Sequence, residues 1–180
     1  ASYMHPVVVL LMGGFIVAKA IERWNLHARI ALNIVVRAGS HPDRLLAGFM
    51  IAAAILSMWI SNTATSIMMM PIALRVAAEI SGEREEGGAL SWALLLGVAW
   101  ACSIGGLGTP VGTPTNLIVM NYLNDKAGFE IGFLSWMLMG SPVIILMIPA
   151  AWFILTRWAF RLEAVGAGSG QRVVHEHLAA

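Results

Sequence analysis

Ionisable side chains are scarce in this chain. Asp, Glu, Lys and Arg make up only 12% of it, against 58% hydrophobic residues. Residues 45–74 and 91–123 contain no Asp, Glu, His, Lys or Arg at all. Proton-coupled carriers and intramembrane hydrolases rely on a titrating residue at depth, so this gap argues against both, and against an enzyme in general. All five His lie in loops, near helix ends or in the tail. The one cysteine, Cys102, excludes an intrachain disulfide and offers no metal cluster; within an apolar run it reads as a small packed residue. The net charge of +1 comes from basic residues that are scattered rather than grouped with aromatics, so it gives no sign of a nucleic-acid partner, and none is expected.

What is abundant is apolar sequence. Mean hydropathy is +0.77, and runs of about 18 or more apolar residues recur, which separates the chain from an apolar soluble helical core. It begins Ala1-Ser2-Tyr3 and enters membrane-grade sequence almost at once. The expectation is an internal piece of a larger membrane protein rather than a chain opening with a secretory signal.

The pattern predicts a first span over 1–24, ending near Lys19, Glu22, Arg23 and Trp24. Over 25–43 it predicts an amphipathic interfacial helix and a turn: Leu26, Ile30, Ile34 and Val35 fall at helical spacing among His27, Arg29, Asn33 and Arg37. A cytoplasmic loop follows at 81–90, a broken span at 91–124, an external turn at 125–132, a closing span at 133–162 and a flexible tail at 163–180. The closing span is expected to be mildly interrupted at Gly140-Ser141-Pro142. Trp24, Trp136 and Trp158 fall at interface depths.

The segment 44–80 is the unusual one. Leu45–Ile60 and Ser66–Leu74 are apolar, and Ser61-Asn62-Thr63-Ala64-Thr65 interrupts them with polar but uncharged side chains. One straight helix over 45–74 would be about 45 Å long against a hydrocarbon core of ~30 Å. Split at Ser61, each arm falls short of a span, which predicts a re-entrant hairpin. Charge agrees: with 45–74 returning to its own side, every Lys and Arg from Lys19 to Arg172 except Lys126 lies on one face, which is then cytoplasmic.

A second interruption, Gly108-Thr109-Pro110-Val111-Gly112-Thr113-Pro114-Thr115-Asn116, splits Trp92–Leu107 from Leu117–Leu123. Unwound chain persists at membrane depth only when buried in protein or lining a cavity, and paired broken helices point to the binding site of a secondary transporter. Restarted helices aim unpartnered N–H groups and partial positive charge into the gap, which suits an anion. The arms that end there leave carbonyls suited to a hard cation such as Na⁺, and Ser, Thr and Asn serve either ion. Ser57, one turn before Ser61, joins the cluster. Plain kinks with Ser and Thr bonded one turn back are the structural alternative; two breaks, each with an Asn, favour a site.

Ser61-Asn62-Thr63 followed by a Met-rich arm, and Gly112-Thr113-Pro114-Thr115-Asn116, resemble the two signature elements of the divalent anion:sodium symporter family. Thr115 stands where that family's pattern has a second Pro. The likeness runs over nearly the whole chain. It implies an all-α integral membrane protein of the plasma (inner) membrane, one half of an inverted-repeat secondary transporter with a re-entrant helical hairpin and a broken transmembrane helix. It further implies a carrier of di- and tricarboxylates such as succinate, with Na⁺ as coupling ion and no other cofactor. A missing C-terminal repeat and a homodimer are implied partners. Carried over residue by residue, Ser57, Ser61, Asn62 and Gly112 would hold one Na⁺. Asn62, Thr63 and Thr113 would reach a substrate carboxylate, with Pro114 and Asn116 supporting the loop. An exchanger, a sulfate or other oxyanion carrier, and a non-transporting membrane subunit are the alternatives.

Overall fold

Pro42 and Pro114 each stand at the start of a helix, where a missing N–H is no loss. The computed structural model describes residues 6–24, 29, 33, 41–81, 88–160 and 162, and its regular elements are helices. They are α1 (Pro6–Arg23), α2 (Pro42–Ser57), α3 (Asn62–Ser81), α4 (Ala89–Gly105), α5 (Pro114–Ala127) and α6 (Phe133–Phe153). A 3₁₀ turn, Gly106–Gly108, extends α4, and a π-helical turn, Ile154–Ala159, extends α6. The amphipathic segment 25–43, the loop 81–90 and the tail 163–180 lie largely outside the described residues.

The core forms where α2, α3 and α4 meet. On α4 the residues Ala93, Gly97, Ala101 and Gly105 recur every fourth position and are all buried, a small-residue stripe that lets a neighbouring backbone approach. A Cβ on Gly97 would stand 2.5 Å from Leu46 Cδ1 and 3.2 Å from Met50 Cγ, and one on Gly105 would overlap the Ala54 carbonyl. The order of these contacts makes α2 parallel to α4. On α3 the buried residues Thr65, Met69, Ala73 and Ala77 form one face at the same spacing, and Asn62 in its first turn lies against Gly106 at the end of α4. The starting turn of α3 and the last turns of α2 and α4 therefore gather at one end of the core.

Three helices among the described residues are long and apolar enough to cross a membrane: Asn62–Ile80, Ala89–Gly108 and Phe133–Ala159. The first of these corrects the sequence reading. Each arm is expected from the sequence to fall short of a span. Within the segment predicted over 44–80, however, the second arm runs past the apolar stretch ending at Leu74 and through Arg75 and Glu79, ending at Ser81, so its length alone suffices to cross. Arm length argues for re-entry only in α2, whose 16 residues make about 24 Å at 1.5 Å per residue.

A second correction concerns α6. The interruption expected at Gly140-Ser141-Pro142 does not occur, and the helix runs on through Pro142 and Pro149. Pro142 cannot donate to the carbonyl of Leu138; Ser141 Oγ donates to that oxygen instead, at 3.2 Å. The rest of α6 is apolar nearly all round, and among Phe133–Phe153 only Ala151 is buried.

The turn between α5 and α6 is closed by side chains. Gly128 ends α5 in the left-handed region at φ 69°, where a Cβ would be strained. Asn124 then clamps Ile131, donating from Nδ2 to its carbonyl at 3.1 Å and accepting from its N–H at 2.9 Å.

Candidate binding site at the two helix breaks

The first break is Met58–Ser61, between α2 and α3. Its chain tightens over the end of α2, with the Trp59 and Ile60 N–H groups both reaching the Leu56 carbonyl, at 3.0 and 2.9 Å. Ser61 opens the next helix: its Oγ accepts from the Ala64 N–H at 3.3 Å, an N-cap that satisfies one of the unpaired donors of the first turn. The second break runs from the 3₁₀ turn Gly106–Gly108 through Thr109–Thr113. Thr113 closes it, accepting from the Thr115 N–H at 3.3 Å as the N-cap of α5.

The two breaks are joined side chain to backbone. Thr109, wholly buried, donates its hydroxyl to the Met58 carbonyl across 51 positions of sequence. The same oxygen accepts the Gly112 N–H at 3.0 Å. Ser57, also wholly buried, places Oγ 2.6 Å from Asn62 Oδ1 and 2.8 Å from the Cys102 carbonyl. Gly112 lies in the same cluster: a Cβ there would stand 2.5 Å from the Gly106 carbonyl and 3.1 Å from the Ser57 carbonyl. Ser57, Asn62 and Gly112, read from the sequence as one group, are thus brought together, and all the oxygens on offer are neutral.

The remaining sequence candidates occupy different positions. Ser61 and Thr113 cap the two restarting helices. Thr63 and Pro114 are exposed in the first turns of α3 and α5. Asn116 is buried, and its Nδ2 donates to the Gly106 and Thr109 carbonyls, each at 2.8 Å. It holds the loop shut, which agrees with a supporting role. The expectation of freely available carbonyls at the arm ends needs amending. Those of Met58, Gly106 and Thr109 already receive side-chain hydrogens, and Leu107 receives the indole N–H of Trp136 at 3.0 Å.

Sequence reasoning passed over Thr109, although it was the one hydroxyl lying between Gly108 and Pro110. It also missed the cover that α6 supplies. Besides the Trp136 bond to the second break, Phe133 packs its ring against Trp59 of the first, with centroids 6.4 Å apart. Neither pairing leaves a mark on the local sequence. An apolar cavity of about 610 Å³ lies beside the breaks, walled by α1 at Val9, Gly13, Gly14 and Val17 and by Trp59, Val111 and Phe133.

Comparison with known proteins bears on this arrangement. The profile of the CitMHS citrate transporter family matches residues 1–173. The chain is 38% identical over 185 residues to the sodium-dependent dicarboxylate transporter SdcS of Staphylococcus saprophyticus, covering 99% of this chain and 36% of that protein. It is 36% identical over 184 residues to SdcS of Staphylococcus aureus strain USA300, covering 99% of this chain and 35% of that one. The chain thus spans about a third of the length of the curated relatives it matches. The resemblance first carried by Ser61-Asn62-Thr63 and Gly112–Asn116 extends over the whole sequence. This is an integral membrane protein whose three long apolar helices suit that setting, and the chain belongs to the citrate transporter family.

Proposed function

We propose that this chain is the N-terminal repeat of a sodium-coupled carrier of di- and tricarboxylates, with a C4-dicarboxylate such as succinate as substrate. The observation that carries the reading is the convergence of Ser57, Asn62 and Gly112 at two mutually bonded helix breaks in a chain whose relatives bear the name sodium-dependent dicarboxylate transporter. In this reading Ser57, Ser61, Asn62 and Gly112 hold Na⁺ through neutral oxygens. Asn62, Thr63 and Thr113 meet a substrate carboxylate, helped by the N–H groups that open α3 and α5. Charge is neutralised by the bound cation rather than by a buried Arg, since neither break carries an ionisable side chain. Binding Na⁺ beside the anion offsets its desolvation, and this interdependence makes the two solutes travel together. The protein transports without covalent chemistry and is not an enzyme.

The same reading makes α2 and α3 a re-entrant hairpin and α4 with α5 a broken transmembrane helix. What supports the hairpin is the shortness of α2 and its parallel course with α4. At about 24 Å, α2 ends before a ~30 Å hydrocarbon core is crossed, which puts Ser57 and Asn62 within the membrane. The asymmetry of Lys and Arg then makes their side cytoplasmic in the plasma membrane. A second, inverted repeat and a homodimeric partner complete the carrier. Equilibrium binding of labelled succinate to the purified full-length protein tests the assignment: affinity should rise with Na⁺, and Asn62→Ala should weaken both ligands. Succinate affinity unaffected by Na⁺ would remove the basis for coupling.

A further inference from the structure

Gly106 has a backbone any residue could adopt, φ −57° and ψ −21°, so its lack of a side chain is not required by conformation. The requirement comes from a neighbour. A Cβ at position 106 would overlap Asn62 Oδ1 and stand 3.0 Å from both Asn62 Cγ and Nδ2. The whole amide of Asn62 therefore rests against the space where that side chain would be, whichever way the amide is turned.

Hydrogen counting fixes how the amide is turned. Ser57 Oγ sits within bonding distance of Asn62 Oδ1 and of the Cys102 carbonyl, yet a hydroxyl has one hydrogen to give. The oxygen and nitrogen of an Asn amide exchange places by a half-turn about the Cβ–Cγ bond. With Nδ2 towards Ser57, the amide donates to Oγ and Oγ donates to the Cys102 carbonyl, so both close contacts of Ser57 carry a hydrogen. The Cys102 carbonyl also accepts the Gly106 N–H, which ties positions 57 and 106 to one oxygen and links Asn62 to it through Ser57. In this arrangement the Asn62 oxygen is released from Ser57 and free to serve an ion.

We propose that Gly106 is the positioning residue for Asn62: its bare α-carbon is the seat that holds the amide in its ion-binding orientation. This rests on the functional reading above, and the test separates the two. Sodium-driven succinate uptake would be measured with the full-length protein in liposomes, for the parent, Gly106→Ala, Asn62→Ala and the double variant. Gly106→Ala should raise the half-saturating Na⁺ concentration by about tenfold or more, and the double variant should be no worse than Asn62→Ala alone, because the two changes strike one interaction. Melting temperature without Na⁺ gives a second readout. Gly106→Ala should lower it in the parent and leave it nearly unchanged once Asn62 is Ala, since the overlap is then gone. If Gly106→Ala fails to assemble, the double variant should recover assembly. Unchanged Na⁺ dependence in Gly106→Ala, additive effects in the double variant, or a double variant that fails equally would each overturn the proposal. Uptake by the parent that ignores Na⁺ would instead overturn the functional reading.

Discussion

Thr109→Val replaces a buried hydroxyl by a methyl of nearly the same size, and its consequences can be worked out from three atoms. The Met58 carbonyl loses the hydroxyl that reaches it, and the Gly112 N–H loses its 3.0 Å acceptor. Gly112 retains a longer alternative, the Thr109 carbonyl at 3.3 Å, so that loss is partial. Met58 O is left in a site where Thr109 is wholly buried; an unserved acceptor costs about 1–3 kcal/mol, and the lost neutral bond about 1 kcal/mol is part of that sum. A net destabilisation of about 2 kcal/mol follows. Because this bond joins the two breaks, the binding residues should also lose register with each other, and each 1.4 kcal/mol lost from binding weakens it about tenfold. Thermal unfolding of the full-length protein in detergent reads the first effect, and Na⁺-dependent succinate binding the second. Thr156→Val is the control, since its hydroxyl bonds only the Trp152 and Phe153 carbonyls of its own helix. If Thr109→Val melted and bound like the parent, the two breaks would not be coupled through this bond.

Asn62→Asp keeps the size of the side chain but sets a carboxylate beside the proposed anion site; succinate binding should be lost while Na⁺ binding persists, as read by equilibrium binding of each. Trp136→Phe removes the indole N–H from the Leu107 carbonyl and should cost about 1 kcal/mol of stability, measured by thermal unfolding against the control Trp158→Phe, whose parent ring is 81% exposed. Single cysteines at the exposed positions His41 and Ala78 should both be labelled from the cytoplasmic side by an impermeant maleimide; labelling of Ala78→Cys from outside would mean that 42–81 crosses the membrane.

The sequence made the two breaks legible because uncharged polar residues stand out within apolar runs, and Ser61-Asn62-Thr63 and Gly112–Asn116 fall where helices stop and restart. Ser57 joined Ser61 by helical spacing, while the grouping of Ser57 and Asn62 with Gly112 came from the family resemblance rather than from the polar pattern. The bonds that join the breaks were not legible. Thr109 reaches Met58 across the fold, and Trp136 reaches Leu107 from a different helix, so no local pattern signals either. Only the apolar stretch to Leu74 entered the expected arm length, whereas Arg75 and Glu79 are exposed on the same continuing helix. Gly140-Ser141-Pro142 read as an interruption because a proline removes a donor; Ser141 replaces it from within the same turn. Asn116 shared its signal with the proposed ligands, and only its two backbone acceptors mark it as holding the loop.

The central claim is that neutral oxygens at these breaks bind Na⁺ and so couple it to a dicarboxylate. Succinate uptake into liposomes containing the full-length protein, driven either by an inward Na⁺ gradient or by a pH gradient in Na⁺-free buffer, tests it most directly. The account predicts uptake with Na⁺ and none with protons alone, since residues 45–74 and 91–123 hold no Asp, Glu, His, Lys or Arg. Full uptake driven by pH without Na⁺ would contradict it.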